Sequence, residues 1–357
     1  MSISKRLVFC VVAFGFLFNA VNAQNFKIEK SWQTTESRQF DFWIGAWDVN
    51  LRMIQPDNSW KDSVKAKVEI YPILDGKAIL ELWDSKPIKG FSLRHFDPQK
   101  KKWVLYLNWP NNGRSNIGSL EGEFRHGRGE FFSKFKGKDG KEILSRYTFC
   151  DITPASLRWD DAFSNDGGKT WTNNWIMEFS RTAKTAGWTT SDKANTFVTG
   201  SRCSGKEFDM LNSVAGKWKG KIVLGQSGQQ SADASLNVVR ILDGCTIIHF
   251  LEYKVEGKVQ REFGLMTFNR QTQQFEELVL DNQVGSAAKI FRGKLEGKQG
   301  FSLKTGKANA NSKISLLRQW NFPAESIGEL SVNTKTSKDK GTTWADSIRG
   351  SFKRINK

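Results

Sequence analysis

"SNDGGKTW" at residues 164–171 returns as "SKDKGTTW" at 337–344, so one pattern, Ser-x-Asp-x-Gly-x-Thr-Trp, stands twice in the chain, 173 residues apart. Its Ser and Asp side chains can bond backbone amides across a tight bend. Its glycine tolerates the positive φ that other residues resist, and Thr-Trp opens a returning strand. The octapeptide therefore reads as a hairpin turn and not as a catalytic centre. Its recurrence asks whether the whole chain is written twice.

Four further landmarks recur in the same order. "FDFWIGAW" (40–47) answers "FDMLNSVAGKW" (208–218), and "PILDGKAILELW" (72–83) answers "RILDGCTIIHFL" (240–251). "GFSLRHFDPQKKKW" (90–103) answers "EFGLMTFNRQTQQF" (262–275), and "EFSR" (178–181) answers "SFKR" (351–354). A period near 170 residues is that of a domain and not of a solenoid unit, which implies a tandem duplication. Within each copy, Asp-Gly pairs at 75–76 and 243–244 sit between apolar runs as hairpin signals. No long stretch has helical periodicity. The expected fold is all-β: two antiparallel sheets of about eight to ten strands, each closed into a barrel so that no edge is left unpaired. The expected domains are 24–182 and 207–357, joined by a Thr/Ser/Lys/Gly-rich linker over 183–206.

Lys5 and Arg6 precede an apolar run from Leu7 to about Val21, which ends in Val21-Asn22-Ala23. Residues 1–23 thus read as a secretory signal peptide cleaved near Ala23, giving a secreted or periplasmic protein. No later stretch approaches about 18 consecutive apolar residues, so no membrane span is expected. The net charge of +17 is concentrated in the second half. The basic clusters flank predicted turns and belong to no nucleic-acid module, so they read as solvated surface, leaving room only for weak contact with anionic surfaces. Cys150, Cys203 and Cys245 are too few and too scattered for a disulfide framework; one bridge is possible and none is required. Cysteines and histidines lack metal-ligand spacing, and neither metal nor cofactor is expected.

Gly45-Ala46-Trp47 and Gly216-Lys217-Trp218 open the first strand of each copy, and Arg181 and Arg354 close the last. This arrangement resembles the Gly-x-Trp and terminal-Arg signature of calycins, the lipocalin superfamily. The resemblance implies tandem calycin-like barrels in which the Trp seals one end and the Arg stacks on its indole. The fuller pattern is similar to a family of secreted bacterial calycin-like domains of uncharacterised function. The repeated octapeptide resembles the Asp box of sialidase-like propellers, where it is mainly structural, but the chain lacks a propeller's short blade repeats.

Eleven of fourteen tryptophans lie within residues 1–200, and large rings around a cavity bind apolar or aromatic faces. Trp83, Trp109 and Trp175 are the candidate ligand-binding rings. Strand alternation puts Ile79, Glu81 and Trp83 on one face, with His249 standing where Glu81 does in the second copy. Arg94 shares a face with Ser92, and Tyr106 one with Val104 and Asn108. Were those faces interior, Glu81, Arg94, Tyr106 and Asn108 would form a polar cluster in an aromatic cup. The leading expectation is a small apolar or aromatic ligand held in the first barrel. The alternative is a cofactor-independent hydratase, cyclase or isomerase, with Glu81 as general acid–base and Arg94 and Tyr106 polarising the substrate. Some calycin-like barrels, carotenoid hydratases and allene oxide cyclases among them, are similar in plan and imply such chemistry. Asp160 and Asp161 are adjacent in a strand and so cannot act together on one face.

Overall fold

The computed structural model describes residues 28, 30–86, 88–110, 114–184, 203–226, 228, 230–297, 300–305, 314–322 and 328–355. The expected signal peptide and most of the expected linker lie outside them. Strand periodicity builds the rest. In the first barrel the strands are β1 (Gly45–Ile54), β2 (Trp60–Ile73), β3 (Ala78–Asp84), β4 (Lys89–Asp97), β5 (Lys102–Trp109), β6 (Arg114–Arg125), β7 (Arg128–Lys136), β8 (Glu142–Cys150), β9 (Ser156–Ser164) and β10 (Thr172–Ala183). Each pairs antiparallel with its sequence neighbours, and β1 closes on β10. The second barrel repeats the plan with β11 (Gly216–Leu224), β12 (Gln230–Ile241), β13 (Thr246–Val255), β14 (Lys258–Asn269), β15 (Gln274–Asp281), β16 (Lys289–Leu295), β17 (Gly300–Thr305), β18 (Ser315–Asn321), β19 (Glu329–Ser337) and β20 (Ala345–Arg354). The fold is therefore all-β, two closed ten-stranded antiparallel barrels in tandem, and closure leaves no sheet edge exposed. One short helix that the sequence did not announce, α1 (Lys206–Ser213), precedes the second barrel.

Each barrel is sealed at the end where its first strand begins. The Trp47 indole donates to Trp43 O at 2.7 Å, and the Arg181 guanidinium stacks 4.0 Å over its ring while donating to Ile44 O at 2.6 Å. Trp218 and Arg354 repeat this, with a bond to Val214 O at 3.1 Å and a stacking distance of 4.3 Å.

The strands also explain how the barrels meet. In β2 the alternation Ala66, Val68, Ile70 inward and Lys65, Lys67, Glu69 outward ends at Tyr71, where the outer face becomes buried too. Tyr71, Ile73, Leu80, Leu93, Val104 and Tyr106 of the first barrel form one core with Val239, Ile241, Ile248, Phe263, Leu265 and Leu278 of the second. Its rim carries a reciprocal pair of ion pairs between equivalent positions: Arg261 with Asp75 at 2.6 Å and Lys89 with Asp243 at 2.8 Å. Lys77 adds hydrogen bonds to Asp281 O, Gln283 O and Ser286 O, each 2.8 Å. Cys203 and Cys245 form a disulfide that ties the segment before α1 to the start of β13, leaving Cys150 free.

Candidate functional site

Glu81 and Trp83 on β3, Ser92 and Arg94 on β4, and Leu105, Leu107 and Trp109 on β5 face the first barrel's interior, and Tyr147, Trp159, Trp175 and Met177 close the ring from β8, β9 and β10. They surround a cavity of about 40 Å3, enough for one to a few waters. Trp43, beneath it, comes from the turn before β1. Trp83 meets Trp109 edge-to-face at 5.7 Å, and Trp159 meets Trp175 at 5.4 Å. Trp109 and Trp175, near the strand ends away from the Trp47 seal, are only partly buried.

Inside this aromatic wall sits one ion pair. Arg94 Nη2 donates to Glu81 Oε2 at 2.7 Å, and Ser92 Oγ donates to the same oxygen at 2.5 Å. The Arg94 guanidinium lies 4.0 Å over the Trp43 ring, with Phe40 and Phe149 slightly further off. Burial lowers the Arg94 pKa and Glu81 opposes that shift. Arg94 Nε, Arg94 Nη1 and Trp43 Nε1 are buried with no acceptor among the described residues.

The structure thus brings together Glu81, Arg94, Trp83, Trp109 and Trp175. It does not bring Tyr106 and Asn108 to them, and that expectation is corrected. On β5, Leu105, Leu107 and Trp109 line the cavity, so Tyr106 and Asn108 face outward. Tyr106 stacks on His95, centroids 6.1 Å apart, within the core shared by the two barrels, and burial pushes its hydroxyl up to about 12. In "WVLYLNW" both faces are buried, so alternation alone could not say which was interior.

Sequence reasoning weighed Asp161 only as half of a pair with Asp160, but it shares the inward face of Trp159 on β9. Its Oδ2 accepts from Trp175 Nε1 at 2.5 Å and Asn174 Nδ2 at 3.1 Å, while burial raises its pKa against those bonds. Asp160 points the other way, to Arg158 Nε at 2.9 Å. Two-residue alternation from Trp159 was the available signal.

The second barrel is furnished differently. His249, at the position of Glu81, bonds Glu277 at 3.0 Å, and Glu277 also meets Trp320 and Arg318 at 3.3 Å. Gly264, across from His249, replaces Ser92, because a Cβ there would lie 1.7 Å from His249 Nε2. Phe268, Phe275 and Phe301 pack in series at 4.9 and 4.6 Å. Among the described residues no cluster of three or more His, Cys, Asp or Glu is placed to hold a metal ion, and no helix is long and apolar enough to cross a membrane.

The class this defines is a tandem of ten-stranded antiparallel barrels, the first with an aromatic lumen and a buried ion pair. Residues 204–354, the second barrel with α1, match the model of a family described as protein of unknown function, DUF1579. No curated protein matches the chain. Among solved structures, a DUF3598-family protein of unknown function from Nostoc punctiforme is similar at a TM-score of 0.28 and 10% identity, covering 90% of this chain and 100% of that one. A redesigned β-barrel scores 0.24 at 10% identity, covering 42% of this chain and 96% of its own. A variant of transferrin binding protein B from Haemophilus parasuis scores 0.20 at 8% identity, covering 87% and 76%.

Proposed function

We propose that this is an exported, calycin-like two-barrel protein whose first barrel holds a small apolar or aromatic ligand while the second supports it. The observation that carries the reading is the lumen lined by Trp83, Trp109, Trp159 and Trp175 around a buried Glu81–Arg94 pair, beside donors that lack acceptors among the described residues. Apolar walls with a few convergent polar groups are the usual composition of a small-molecule site. A cavity of about 40 Å3 is smaller than such a molecule, so entry requires the half-buried Trp109 and Trp175 to rotate away. The Cys203–Cys245 bridge supports export, since disulfides persist in oxidising compartments. Calorimetric titration of the intact protein with apolar and aromatic compounds should show saturable binding that Leu107→Trp, which fills the lumen, abolishes. Binding that survives this substitution would place the ligand elsewhere.

A second reading is favoured by the two lumen carboxyl groups in unlike surroundings, Glu81 paired with Arg94 and Asp161 raised by burial. Such a division can separate a base from an acid. On that reading Glu81→Gln abolishes turnover of a hydrophobic substrate and spares its binding.

A further inference from the structure

We infer that the ligand of the first barrel presents a neutral acceptor oxygen, such as a carbonyl, to Arg94 and Trp43, and that the lumen discriminates against carboxylates. This rests on the reading of the first barrel as a ligand site and specifies the chemistry that the site selects.

The argument starts from donors. Arg94 is 4% exposed and carries five N–H groups, and among the described residues only its Nη2 atom is engaged, by Glu81. Arg94 Nε, Arg94 Nη1 and Trp43 Nε1 are buried without acceptors among the described residues. Trp43 and Arg94 both line the cavity that a ligand would enter, which makes a bound ligand the natural source of the missing acceptors. Buried donors are nearly always satisfied in folded proteins, and leaving them unmatched is costly. Stacking over Trp43 at 4.0 Å answers the positive charge through the face of the guanidinium. It does not supply in-plane lone pairs to the edge N–H groups.

Charge then decides which acceptor fits. The Arg94 charge is already matched by Glu81, whose Oε2 is held by Arg94 and Ser92 together. A carboxylate entering beside this pair would leave an unmatched anion in an aromatic, poorly solvated lumen, where unpaired charge is heavily penalised. Asp161, bonded to Trp175 on the same wall, adds no positive charge to compensate it. A carbonyl oxygen accepts from the same donors and brings no net charge. The rings of Trp83, Trp109, Trp159 and Trp175 supply surfaces for an aromatic body.

Three probes on one skeleton test this by calorimetry on the intact protein at neutral pH: 2-acetylnaphthalene, 2-ethylnaphthalene and 2-naphthoate. The ketone should bind at least about tenfold more tightly than the hydrocarbon, the scale of a hydrogen bond to a charged group, and more tightly than the carboxylate. Arg94→Met should bring the ketone down to the hydrocarbon's affinity. Glu81→Gln, which leaves the Arg94 charge unmatched without removing a donor, should reverse the order so that naphthoate binds best. Equal binding of ketone and hydrocarbon, or a wild-type preference for naphthoate, overturns the inference and leaves the ligand site standing. Failure of all three probes to bind overturns the ligand-site reading and this inference with it.

Discussion

Gly45 and Gly216 show how a single missing side chain can hold a barrel end shut. Their φ values of +134° and +150° lie where other residues are strained. A Cβ on Gly45 would meet Ala183 O at 2.4 Å and Arg181 Nη1 at 2.6 Å, and one on Gly216 would meet Arg354 Nη1 at 2.6 Å. Glycine is thus required in the Gly-x-Trp pattern because the terminal arginine must cross that point to lie on the indole. Gly216→Ala should destabilise the protein by about 1–3 kcal/mol, the usual cost of a strained backbone position. Urea unfolding of the variant should therefore show an earlier midpoint, and an unchanged midpoint would mean that the seal adjusts freely. Gly90 acts through space alone: a Cβ there would lie 2.2 Å from the Trp109 ring, so its absence lets that indole fold over β4 towards the lumen.

At the scale of elements, the repeated hairpin owes its shape to one aspartate in each copy. Asp166 accepts from Thr170 Oγ1 at 2.6 Å and from the Lys169 and Thr170 amides at 3.0 Å, and Ser164 Oγ bridges it to the Gly168 amide. Asp339 repeats the pattern with Ser337, Thr342 and Thr343. The Thr170 hydroxyl foremost, and then backbone amides, hold the Asp166 carboxyl well below the usual range; Ser337 leads for Asp339. A lowered native pKa means that the unfolded chain takes up the proton first as pH falls. The stabilisation is therefore complete above the ordinary carboxylate range and is lost as pH drops through it towards the native value. Thermal melts from pH 6 to pH 2 should be less acid-dependent in the double variant D166N/D339N than in the parent, and equal slopes would refute the assignment. These hairpins were legible because their partners lie within a few residues, whereas the Trp47 and Trp218 seals were expected only from the resemblance of the twice-repeated Gly-x-Trp and terminal Arg to a known signature. The Cys203–Cys245 bridge was not, since the pairing of three scattered cysteines is a tertiary fact. Nor was the orientation of Tyr106 and Asn108: alternation identifies an interior only when the other face is wet, and β5 has no wet face there. β3 and β4 are buried on both faces as well, and Glu81, Trp83 and Arg94 share the lumen because Glu81 pairs with Ser92, which puts the two alternations in one phase.

For the molecule as a whole, the joint between barrels makes it more than two domains on a string. Asp75 and Asp243 occupy equivalent turns at φ of +57°, and each is gripped by a cation from the opposite barrel. The strained turns of one half are thus fixed by the other. His95 lies inside this joint, stacked on Tyr106, with Nδ1 3.3 Å from Phe96 O. Burial foremost, with Lys77 and Lys100 adding to it and Phe96 O and Asp97 opposing, pushes its pKa from 6.5 down to about 4. The sign follows from proton binding. Between pH 6.5 and about 4 the unfolded chain binds a proton at His95 that the native protein refuses, so stability rises with pH across that window and falls on acidification. The full difference, reached only below about pH 4, is between about 3 and 4 kcal/mol, from roughly 1.4 kcal/mol per pH unit. Above pH 6.5 both states are neutral at this position and His95 contributes no pH dependence. Replacing it by glutamine removes the titration while keeping a polar group in the joint. Urea midpoints measured at pH 7 and pH 4.5 should therefore fall further in the parent than in His95→Gln. The same fall in both would show that the acid sensitivity of the joint originates in other groups and that His95 takes up its proton without disturbing the barrels.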